Sequence, residues 1–161
     1  MTPAGRYATG AALRTALEER LKRESREQSG DLQRLRRKVA FDRFLARLFR
    51  IPDNGWILKG GYAMELRFQT ARATRDLDFT VRFAPSSGRN DTLLRHLQDA
   101  GAVDIGDFFS YRIGEATMDL DGAPYGGARY PVECLLGGRT FVKFTWMLGQ
   151  ATWFSIPQNG P

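Results

Sequence analysis

The sequence predicts an α+β fold in which an N-terminal helical hairpin precedes a β-sheet with flanking helices. Three observations predict it. Apolar residues recur at three- and four-residue steps from Ala11 to about Arg50, with one break at "QSG". At Trp56 the pattern changes to a short apolar run, a Gly-Gly turn and a short helix-compatible stretch. "DLDFTVRF" then alternates strictly between apolar and polar residues, as a half-buried strand requires.

Taken in order, Leu13, Ala16, Leu17 and Leu21 define the inner stripe of a first helix from Ala11 to about Glu27. Asp31 is a plausible N-cap for a second helix to about Arg50, with Leu32, Leu35, Val39, Leu45, Leu48 and Phe49 inward and basic residues outward. "IPDNG" ends it. "WIL" reads as a short strand, "KGG" as a turn, and "YAMELRF" as a short helix. In the alternating strand Leu77, Phe79, Val81 and Phe83 share one face, and Asp76, Asp78, Thr80 and Arg82 share the other. "PSSGRND" is a loop ending in a cap at Asn90 or Asp91, and the following helix points Leu93, Leu94, Leu97 and Ala100 inward. Strands are expected at Phe108 to Ile113, Tyr130 to Leu136 and Thr140 to Leu148, the last two joined by a tight turn at Gly137 and Gly138. The expected organisation is a hairpin over 11–50 packed on a core over 51–149, one domain in all, with a divergent tail over 150–161.

A chain of 161 residues is long enough for one domain with a real core and short for two. Its apolar runs are too short to cross a bilayer, so no membrane partner is expected. No secretory signal opens the sequence, which makes the cytoplasm the expected location. A single cysteine, Cys134, excludes an internal disulfide and reads as a small core residue. The lone His96, with no second His or Cys nearby, excludes a zinc cluster and reads as a helix-surface residue. A net charge of +6 favours an anionic partner such as RNA or nucleotide phosphates. The basic run Arg34 to Lys38 is either such a contact or an ordinary solvated helix face.

The chemistry-bearing stretch is strand, Gly-Gly turn, helix, and then a strand with two carboxylates on one face. Glycines let the backbone approach phosphates closely, and free N–H groups at a helix start favour phosphate oxygens; Lys59, Gly60 and Gly61 are the candidates. Asp76 and Asp78, at i and i+2 on a strand, can share Mg2+ that bridges the phosphates of a nucleotide. The competing reading is that the D-x-D triplet is a charged strand end with no ligand.

The paired N-terminal helices, "ILKGGYAMEL", "ATRDLDF" and the hairpin "RYPVECLLGGRTFVKF" together resemble the AbiEii/AbiGii-type nucleotidyltransferases, toxins of type IV toxin-antitoxin systems in the polymerase-beta-like superfamily. The quoted segments span about residues 11 to 144. The resemblance implies a nucleotidyltransferase-type mixed β-sheet, incomplete at its C-terminus, and transfer of a nucleotide from an NTP to an acceptor, the acceptor end of tRNA for related toxins. It maps Asp76 and Asp78 onto catalytic metal ligands and Gly60 and Gly61 onto the phosphate-binding turn, with Lys59 and Arg75 on flanking, nucleotide-binding positions. Arg75 is equally readable as a structural partner that neutralises the aspartates. A cognate antitoxin that acts without stable binding is the further partner implied.

The chain departs from the family after the hairpin. Members carry a third carboxylate on a later strand, in a pattern like F-H-L-D-V-G-x-G-D, where this chain reads "FTWMLGQATWFSIPQNGP". Trp146 and Met147 have unique codons, so the gene reads TGGATG there, and the alternate frame contains GAT, aspartate. Flanking junctions in that frame permit His, Leu, Val, Gly and Asp in register. The expectation is that residues 145–161 are frameshifted sequence and that Met147 stands on the side of the missing carboxylate. A thioether is a poor magnesium ligand and has no basicity. The two readings are therefore an impaired nucleotidyltransferase and a truncated, non-catalytic remnant that binds NTP or RNA; an uncovered core face and low solubility would accompany truncation.

Overall fold

The computed structural model describes residues 5–50, 52, 55–68, 72–81, 89–119 and 127–149. Helix α1 (Gly10–Glu27) starts where the Thr9 hydroxyl accepts from the Ala12 N–H, and α2 (Leu32–Leu48) starts where Asp31 accepts from the Gln33 N–H. The Asp31 cap is as expected. Strand β1 (Trp56–Lys59) leads directly into α3 (Gly60–Arg67), and β2 (Asp76–Val81) carries the alternating pattern. Then follow α4 (Arg89–Ala102), β3 (Phe109–Ile113), the two-residue β4 (Met118–Asp119), β5 (Gly127–Leu136) and β6 (Arg139–Gly149).

The sheet order is β1-β2-β6-β5-β3, with β4 on β5. Only β2 and β6 run parallel among these pairings, so the sheet is mixed, as the family resemblance implies. Gly137 and Gly138 both have positive φ, 59° and 77°, which is what a two-residue hairpin turn between right-twisted strands needs. The tip of that hairpin sits against the start of α1, where a Cβ on Gly137 would lie 2.9 Å from the Gly10 carbonyl carbon. Arg14 ties the same contact down by donating to the backbone oxygens of Leu136, Arg139 and Thr140.

The inner face of the sheet presents Leu77, Phe79, Phe144, Trp146 and Leu148 to α2. Trp146 is the centre: it stacks on Phe79 at 4.4 Å and meets Trp56 and Phe44 edge-on. Leu48 is buried, and Leu32, Leu35, Val39 and Leu45 pack partly buried against the core, as expected, but the most buried stripe of α2 lies beside them. It runs through Ala40, Phe41, Phe44, Arg47 and Leu48, whereas Phe49, expected inward, is 42% exposed because the helix has already ended at Leu48. Arg47 is drawn inside by acceptors: both Asp107 oxygens and the backbone oxygens of Arg43, Val103 and Phe109. This ion pair joins α2 to the segment entering β3.

Smaller differences have local causes. Phe108 has φ of 62° and stays outside β3, which starts one residue later than expected. Helix α4 begins at Arg89, so Asn90 and Asp91 lie in its first turn rather than capping it. The short β4 has no counterpart in the sequence reading, and Arg82, Phe83 and the tail over 150–161 lie outside the described residues. Cys134 is fully buried, as expected, and burial pushes its thiol up to about 12. His96 is exposed on α4, also as expected.

Candidate active site

Leu77 and Phe79 are fully buried on the inner face of β2, which turns Asp76 and Asp78 together onto the opposite face, each partly exposed. The strand is held at its start by Thr74, whose hydroxyl donates to the Asp76 carbonyl oxygen and whose N–H donates to Glu65 of α3 at 2.6 Å. Glu65 also pairs with Arg34 of α2. The helix after the glycine turn is thereby fastened to the carboxylate strand.

The glycines explain how close that fastening is. Gly60 has φ of 69°, and a Cβ there would collide with Asp78 Oδ2 and come within 2.9 Å of Asp78 Cβ. A Cβ on Gly61 would lie 2.8 Å from Thr74 Cβ. Phosphate approach was the reason expected for these glycines; the structure adds a second, since only glycine lets the turn touch β2. Turn and carboxylates therefore form one site.

Strand register extends the site sideways. Lys59 pairs with Asp78, Asp78 with Met147, and Met147 with Arg129, and residues paired across a sheet share a face. The row reads cation, carboxylate, thioether, cation. Lys59 leans across the sheet so that its Nζ fills the space a side chain on Gly149 would take. Thr80 donates to the Gly149 carbonyl at 3.4 Å. Met147 thus stands beside Asp78, on the side where the sequence reading expected the missing carboxylate.

Burial pushes the Asp78 carboxyl above its ordinary value, the Asp76 charge pushes it further, and Lys59 and Arg129 pull it back. Arg75 is exposed, and no described cation forms an ion pair with either aspartate. The charges that act on Asp78 come instead from Lys59 and Arg129. Arg129 was not among the residues singled out from sequence. Its only signal there is alternation along "GARYPVE", which sets it on the face opposite Ala128 and Tyr130.

Two carboxylates fit a magnesium ion that arrives with a polyphosphate, because such ions take one or two protein carboxylates and complete their shell with phosphates and water. They do not make an all-protein cage: among the described residues no group of three or more His, Cys, Asp or Glu side chains could hold a metal. The basic run is largely committed elsewhere. Arg34 pairs with Glu65, Arg36 with Glu18 and Arg37 with Asp31, leaving Lys38 exposed.

A helix-flanked mixed sheet with this strand order is an α+β fold with a nucleotidyltransferase-like sheet. Residues 43–151 match the family described as "Nucleotidyl transferase AbiEii toxin, Type IV TA system", and the chain belongs to that family. The match begins within α2, so α1 lies outside it. Among solved structures the chain is similar to a putative nucleotidyltransferase from H. pylori, at 19% identity and a TM-score of 0.44. That similarity covers 75% of this chain and 47% of the other, so this chain spans about half the length of that protein. No curated protein matches the chain.

Proposed function

We propose that this site binds an NTP with Mg2+ and serves nucleotide transfer to an acceptor hydroxyl such as that of tRNA, in a form impaired by Met147. The observation that carries the reading is the contact of Gly60 with Asp78, which makes the glycine turn and the carboxylate pair a single surface. Asp76 and Asp78 would hold the metal, which when bound supplies charge neutralisation at the phosphates. Gly60 and Gly61 offer backbone N–H groups to phosphate oxygens, and Lys59 offers an ammonium. Arg75, exposed at the start of β2, is assigned to the nucleotide rather than to the aspartates.

In nucleotide transfer the acceptor oxygen bonds to the α-phosphorus, the bond to the pyrophosphate breaks, and the acceptor proton must leave. Positioning and charge carry most of such a reaction. A carboxylate at position 147 would lie beside Asp78 and could take that proton; a thioether cannot. The alternate reading frame puts aspartate at this position and an apolar residue at 146, which agrees with the inward burial of Trp146. A second reading, a non-catalytic module that retains NTP or RNA binding, is favoured by this same methionine. The antitoxin of such a system would act without stable binding to this chain, and the cytoplasm is the compartment that supplies NTP and tRNA.

Labelled NTPs, tRNA and Mg2+ test the proposal. Incorporation that Asp78→Ala abolishes supports the transferase. Magnesium-dependent NTP binding with no incorporation supports the binding module, and absence of both outcomes refutes the site.

A further inference from the structure

We propose that Arg129 grips the polyphosphate of the bound nucleotide, opposite Lys59, and so makes this site selective for polyphosphates over magnesium alone. The inference rests on the NTP-binding reading above and adds to it a residue from the far side of the carboxylates.

Register is the first support. Arg129 reaches the row from β5 while Lys59 reaches it from β1, with Asp78 and Met147 between them. A polyphosphate held at the aspartates therefore meets a cation from each side. The second support is the state of the guanidinium. Its Nε is buried and has no hydrogen-bond partner. A buried donor left unmet is costly, and charged donors most of all.

Arg37 on α2 also has an unmet buried Nε but pairs with Asp31 through its other end, whereas Arg14 and Arg47, which join distant elements, behave differently. Arg47 fills its fork with five hydrogen bonds to carboxylate and carbonyl oxygens, and Arg14 takes three carbonyls. Arg129 instead neighbours a thioether, which accepts hydrogen bonds weakly. With aspartate at 147 the fork would face a carboxylate directly across the strands. With methionine it is left for a ligand.

Charge counting gives the selectivity. At the end of this face that holds the aspartates, two carboxylates, Asp76 and Asp78, are flanked by two cations, Lys59 and Arg129. The site as a whole does not attract a free divalent cation strongly, and Arg129 repels it. An anionic polyphosphate carrying magnesium answers both halves at once, and the planar fork of arginine suits phosphate oxygens better than a point charge does.

The experiment is calorimetric titration of the full chain with MgCl2 alone, with inorganic tripolyphosphate plus MgCl2, and with each ribonucleoside triphosphate plus MgCl2. Wild type, Arg129→Met and Arg129→Lys are compared. The expected result is a loss of about tenfold or more in tripolyphosphate and NTP affinity for Arg129→Met, with Arg129→Lys between it and wild type. Affinity for magnesium alone should hold or rise in Arg129→Met. Unchanged tripolyphosphate and NTP affinity in that variant would overturn the role of Arg129 while leaving the site intact. Parallel loss of magnesium and polyphosphate binding together with a lower melting temperature would make Arg129 a structural residue and overturn the proposal. Failure of the wild type to bind any of these ligands would remove the NTP site itself.

Discussion

Alanine at Gly60 probes the joint between turn and carboxylate, and Gly138 supplies the control. Both glycines have positive φ, 69° and 77°, but a Cβ on Gly138 meets nothing within 4 Å, whereas one on Gly60 collides with the Asp78 carboxylate. Gly138→Ala should therefore cost only the left-handed penalty of an L-residue, about 1–2 kcal/mol. Gly60→Ala adds an overpacking term of about 1–3 kcal/mol, because Asp78 must turn away. In a domain of this size each kcal/mol lowers Tm by roughly 2–4 °C, so the two variants should separate by several degrees in a thermal melt. The double mutant with Asp78→Ala isolates the carboxylate's share: Oδ2 and Cγ are gone but the Cβ at 2.9 Å remains, so the extra cost of Gly60→Ala over Gly138→Ala should shrink without vanishing. Equal destabilisation by both alanines in the wild-type background would refute the close contact. So would an extra penalty that Asp78→Ala leaves undiminished.

Other outcomes follow from the same geometry. The Asp78 carboxyl titrates above its ordinary value, so the folded chain binds this proton more tightly than the unfolded one. Its contribution to stability is thus greatest below the unfolded value and is lost as pH rises through the folded one. Asp78→Asn should raise Tm at pH 7 without magnesium and erase any stabilisation by Mg2+ with NTP; a lower Tm would contradict the assigned cause. Met147→Asp adds a carboxylate beside Asp78, and it should lower Tm in the absence of magnesium while raising label incorporation into tRNA by about a hundredfold or more over wild type. Incorporation no higher than wild type would remove position 147 as the seat of the impairment. Arg47→Met leaves the Asp107 carboxylate without its bidentate partner and should cost about 3–5 kcal/mol in urea denaturation. A loss under about 1 kcal/mol would mean that water replaces the pair.

Local patterns carried much of the fold. Caps, glycine breaks and two-residue alternation depend on neighbours in sequence, so the Asp31 cap, the Gly137-Gly138 turn and the shared face of Asp76 and Asp78 were legible. The α2 stripe was read with the wrong phase at its end because periodicity alone cannot weigh a hydrogen-bonded arginine against a phenylalanine. Arg47 gained five acceptors inside, and Phe49 fell past the end of the helix.

By itself the sequence determined the α+β class, the carboxylate pair, the glycine turn before it, and a methionine on the face where a third carboxylate was expected. Only the tertiary structure decided that Gly60 touches Asp78, that β2 and β6 run parallel with Met147 beside Asp78, and that Arg129 completes the row opposite Lys59. Strand order and register are set by how distant segments bury their apolar faces together around Trp146, and no local spacing carries that information.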